Sequence, residues 1–143
     1  MMRVLFLSMI LAVNITLHAQ QTIINPADPA FIAKYAKVDF GGKFAMVIEK
    51  DLANNYFLVD YSRLPSRFER VCFMNLTFSY KELVNIDPVI NKSRVCFLVS
   101  TTYSEKEILK IFDQIKEDVL QKSGSWSDNQ KAEWMKINDK YNK

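Results

Sequence analysis

The sequence predicts an α+β fold: an antiparallel sheet of four to five strands, with a short helix before it and two helices after it. Three observations carry this expectation. Runs rich in β-branched and aromatic residues fill residues 38–102, set apart by Gly, Asn and Pro. The connections between these runs are short, whereas parallel neighbours need crossovers of about a dozen residues or more. After Ser104 the apolar residues switch to helical spacing.

Residues 1–19 read as a signal peptide. Arg3 supplies the charge, Val4–Leu17 the apolar run, and Ala19 the small residue before the cut. That run is interrupted by Ser8, Asn14 and Thr16 and falls short of the about 20 apolar residues that cross a bilayer, so no transmembrane anchor is expected after cleavage. Residues 20–143 are then a single exported α+β domain, periplasmic or secreted. Cleavage removes His18, the only His of the 143-residue chain, together with Arg3, so the net charge falls from +3 to +2.

Asp28–Lys37 is expected to be a short helix, capped by Asp28, with Pro29 at the first position and Phe31, Ile32 and Tyr35 on one face. Gly41-Gly42 permits a turn. Strands are then expected at Lys43–Glu49, Tyr56–Tyr61, Phe68–Thr77 and Ser93–Thr101, with a weaker one at Lys81–Ile86 ended by Asp87-Pro88. Ser104 and Glu107 form a capping-box pattern ahead of a helix whose stripe is Ile108, Ile111, Phe112, Ile115 and Val119. That stripe is expected to cover one face of the sheet. Gly124 is expected to stop the helix. Ser127 and Gln130 repeat the capping pattern before a last helix striped by Trp134, Ile137 and Tyr141.

The pentapeptide Arg70-Val71-Cys72-Phe73-Met74 is echoed by Arg94-Val95-Cys96-Phe97-Leu98, which suggests two strands with Val and Phe on one face and Cys on the other. Two Cys in an exported chain raise the question of a bridge between Cys72 and Cys96, worth about 3.5 kcal/mol in the chain-entropy model. If Lys81–Ile86 lies between their strands, the two are about 9.5 Å apart, beyond the reach of a disulfide. If the strands pair directly, a bridge becomes available. The plainer reading is two buried thiols acting as small apolar groups.

Composition narrows the chemistry. Hydrophobic residues at 49% and charged residues at 24% describe an ordinary globular chain, and a mild, dispersed positive charge gives no nucleic-acid footprint. Without His, imidazole general-base catalysis and His metal ligation are lost, and a Cys nucleophile would need Arg or Lys to stabilise its thiolate. With three Gly there is no phosphate-cradling loop, and no motif calls for a cofactor or metal. Asp113, Glu117 and Asp118 read as a solvated helix face, while Asp51, Asp60 and Asp87 read as turn and strand-end acids.

Arg63, Arg67 and Arg70 form the densest run of guanidinium groups and are candidates for contact with an anion or a partner. Trp126 and Trp134 are candidate interface aromatics, weighed against core packing, which a small domain favours. The leading functional expectation is a small, non-enzymatic module that binds a protein or cell-envelope component. Its rivals are a His-free enzyme using carboxylates on a glycan-type substrate, and a carrier of a small apolar ligand held among residues such as Phe73, Phe97 and Phe112.

Overall fold

The computed structural model describes residues 24–83, 89–90 and 93–141. The signal-peptide segment 1–19, residues 84–86 of the weak strand and the Asp87-Pro88 turn lie outside the described residues. Among the described residues the fold is α+β, with four α-helices and an antiparallel sheet. The elements are α1 (Pro29–Tyr35), β1 (Ala45–Lys50), β2 (Asn54–Asp60), α2 (Arg67–Thr77), β3 (Val89–Ile90), β4 (Arg94–Ser100), α3 (Glu105–Ser125) and α4 (Asp128–Tyr141).

Among the described residues the sheet reaches the lower bound of the four to five strands expected only through its shortest member. It has three full strands, and its fourth member is the two-residue β3, in the order β1-β2-β4-β3. Phe57 pairs with Phe97 and Leu58 with Cys96 across β2 and β4. A bulge falls between Val47 and Glu49 on β1, which is an edge strand. Period-2 alternation then sends the side chains to two faces. Phe57, Val59, Val95, Phe97 and Val99 join one buried cluster, while Tyr56, Leu58 and Cys96 join the other.

The first cluster is completed by helices. Ile108, Phe112, Ile115 and Val119 of α3 are fully buried in it, so the expected stripe does cover one sheet face. The Ser104 hydroxyl makes no capping bond, although Ser104 stands at the N-cap. Nor does Gly124 stop α3, which runs through it to Ser125. By contrast the second capping pattern forms: Gln130 Oε1 accepts from the Ser127 N–H at 2.8 Å, and Ser127 Oγ accepts from the Gln130 N–H at 3.3 Å.

The main correction concerns Phe68–Thr77, which is not a strand but the helix α2. Ser66 caps it in a reciprocal box with Glu69, each side chain bonding the other's backbone N–H at 3.1 Å. Its buried residues Phe68, Glu69, Cys72 and Phe73 recur at helical spacing. The expected likeness of the two pentapeptides therefore fails. One is helix and the other strand, and Cys72 lies in the helical layer with Phe73 rather than opposite it. Lys81–Leu83, expected to begin a weak strand, is a 3₁₀ turn with Leu83 fully buried.

The second sheet face is covered by the chain entering the sheet. In α1, Asp28 Oδ1 accepts from the Ala30 N–H at 2.8 Å and Pro29 begins the helix. Tyr35 and Phe40 are buried against Tyr56, Leu58 and Cys96. Gly41 and Gly42, at φ of +54° and +80°, make the tight turn closed by the Lys43 N–H and the Phe40 carbonyl at 2.9 Å; both angles are ones side chains resist.

Candidate functional site

Arg94 at the start of β4 fixes α1 on the sheet. Its guanidinium donates to the carbonyls of Tyr35 at 2.5 Å and Val38 at 2.7 Å, and lies 4.8 Å from the centre of the Phe40 ring. The Tyr35 carbonyl belongs to the last turn of α1, where a cation also complements the helix dipole. So anchored, α1 stands beside the end of β1 and the turn into β2, and leaves an open groove of about 780 Å³ between them. Phe31, Lys34 and Asp28 line one wall; Glu49, Asp51 and Leu52 line the other.

Each groove carboxylate on the β1 side is held by a tyrosine. The Tyr35 hydroxyl donates to Glu49, which also pairs with Lys34 at 2.7 Å. The Tyr56 hydroxyl donates to Asp51 Oδ2 at 2.5 Å, and the other carboxylate oxygen accepts from the backbone N–H groups of Ala53 and Asn54. The Lys34 ammonium, and then the Tyr35 hydroxyl, hold the Glu49 carboxyl below its ordinary range. The Tyr56 hydroxyl does the same for Asp51, helped by the two N–H groups. Burial, with these carboxylates in second place, pushes both tyrosine hydroxyls upward. At neutral pH the groove thus presents two fixed, ionised carboxylates beside the Phe31 ring, itself 4.7 Å from the Tyr35 ring centre.

The arginine run is scattered. Arg67 forms a two-pronged pair with Asp139 of α4 at 2.8 and 3.2 Å. Arg70 turns back to the carbonyls of Leu64 and Pro65. Arg63 stands 4.0 Å from Asp60 and lines a separate cavity of about 230 Å³ with Lys116 and Glu117. These three residues do not converge on one anion.

Trp126 and Trp134 flank Phe68, with ring centres 5.6 and 5.4 Å away, and Lys122 lies over both indoles. Half-buried in this way, Trp134 fastens α4, and Trp126 the end of α3, to α2. Cys72 and Cys96 are free thiols on opposite sheet faces, and no bridge joins them. Burial raises both, Cys96 to about 12, so neither is a thiolate at neutral pH.

The remaining acids behave as local structure. Asp60 caps the turn at Tyr61–Arg63, Lys116 pairs with Asp113 and Glu117, and Gln114 bonds Asp118. Phe73, Phe97 and Phe112 are wholly buried and pack on one another, with ring centres 5.1–6.3 Å apart. Among the described residues no helix is long and apolar enough to cross a membrane, and no three His, Cys, Asp or Glu side chains form a metal-binding group.

Sequence reasoning named Asp51 only as a turn acid and passed over Lys34, Glu49 and the two tyrosines. The signal was thin: Glu49 and Asp51 fall just where a strand ends, and their tyrosines come from α1 and β2. The chain matches no protein family, and no curated protein or solved structure matches it.

Proposed function

We propose that this protein is an exported, non-enzymatic binding module whose contact surface for a protein or envelope component is the groove between α1 and the end of β1. One observation carries the reading: Glu49 is oriented and kept ionised by Lys34 and Tyr35, and Asp51 by Tyr56, at an open, partly apolar groove. A general acid for glycoside cleavage needs a raised carboxyl pKa, and here both are lowered. Polar groups already held in place beside apolar contacts suit recognition, because little side-chain freedom remains to be lost on binding.

Site-specific crosslinking tests this. A photo-reactive side chain at Leu52, which is 79% exposed at the groove, should capture a component of an envelope extract. The same group at Ile137, 57% exposed on α4, should not. Excess unlabelled protein should compete the Leu52 product away, while a Phe31→Asp variant should not compete. Equal capture from both positions ends the groove reading.

A further inference from the structure

We infer that the groove takes an extended peptide segment carrying Lys or Arg next to apolar residues. This rests on the groove being the contact surface, and charge complementarity carries it further. Five charged side chains line the groove: Asp28, Lys34, Glu49, Lys50 and Asp51. Both lysines are already committed, Lys34 to Glu49 and Lys50 to Glu105 of α3. Asp28 and Asp51 are bonded only by neutral donors, the Ala30 N–H for one and the Ala53 N–H, Asn54 N–H and Tyr56 hydroxyl for the other. Among the described residues neither has a cationic partner.

The groove therefore holds two negative charges that its own lysines leave unbalanced. Asp51 stays ionised well into acid because its donors stabilise the anion. Around these charges Ile24, Ala30, Phe31 and Leu52 offer apolar contact, which suits the aliphatic stem of a Lys or Arg and its neighbours. Shape favours a polypeptide. The groove opens at the Glu49–Lys50 end of β1, which among the described residues pairs with β2 alone, so an extended segment can lie against that end of the sheet edge.

Anisotropy titration with three labelled, end-blocked peptides tests this: alternating Lys and Val, then the same with Gln or Glu in place of Lys. The Lys peptide should bind, the Glu peptide should not, and added salt should weaken the complex. Asp51→Asn should weaken it up to about fivefold, the size of one exposed charge pair. Because that change also touches the β1–β2 turn, Lys50→Gln provides a second arm; it leaves the Glu105 carboxylate unbalanced beside the groove and should tighten binding, which no loss of structure would do. Equal binding of the Gln and Lys peptides, or no change with Lys50→Gln, overturns the charge assignment while capture at Leu52 still upholds the groove. Binding of a neutral oligosaccharide in place of every peptide also overturns it. Loss of capture at Leu52 removes the groove reading itself.

Discussion

Asp51 shows how one residue can serve two ends. Its side chain closes the turn between β1 and β2 through the Ala53 and Asn54 N–H groups, an ordinary task for Asp. The Tyr56 hydroxyl then ties the same carboxylate to the sheet, and so fixes a charge at the groove. Its pKa in the folded chain lies below the about 3.9 of a free Asp, so the stabilisation is fully present above that value and lost as pH falls through the lower, folded one. Asp51→Asn should therefore melt earlier than the parent at neutral pH, with the gap closing as acid protonates the parent's carboxyl. Thermal melts followed by circular dichroism over that range check it; a gap that widens in acid contradicts this account.

The helix α2 shows what decides an element when periodicity is ambiguous. Phe68–Thr77 holds enough aromatic and β-branched residues to read as a strand, and its centre nearly copies the true strand β4. The difference lies at the entrance. Ser66 and Glu69 satisfy each other's backbone N–H groups behind Pro65, which starts a helix where Ser93 starts none. Glu69 also accepts from Ser123 Oγ of α3 at 2.8 Å, so the same box fastens two helices. Ser66→Ala should cost about 1 kcal/mol of unfolding free energy. Urea unfolding monitored at the helical band measures it, and an unchanged midpoint would mean the cap is not what selects the helix.

At the scale of the whole molecule, the two sheet faces are unequal. One is sealed by α2 and α3, with Phe112 in ring contact with Phe57, Phe73 and Phe97. The other is covered by the short α1 and the chain that follows it, and there Phe31 is half-buried and faces the groove. Phe112→Ala should cost about 3–5 kcal/mol, the usual range for emptying a well-packed aromatic site. Phe31→Ala should cost less, because part of its ring is in contact with water already. Denaturant midpoints of the two variants give the ratio. Comparable losses would mean that α1 is as integral to the core as α3. The weaker packing on the α1 side is what leaves room for a ligand-sized groove.

The sequence by itself determined those features whose cause is local. The Asp28-Pro29 start of α1, the strands β1, β2 and β4, and the Ile108–Val119 stripe follow from caps and from periods of 2 and 3.6 residues, which act over a few neighbours. The α+β class followed from the same patterns. Only the tertiary structure decided the rest. A capping box had to compete with β propensity before α2 became a helix, and Cys72 and Cys96 were parted because one packs on each face of the sheet. The groove depended on it most. Lys34, Glu49, Asp51 and Tyr56 come from α1, the end of β1 and β2, and Arg94, which holds α1 in place, lies 59 residues from the Tyr35 carbonyl it grips. Spacing along a chain encodes which residues share an element's face, but the meeting of distant side chains depends on how the elements stack, and that is fixed by the packing of the whole core.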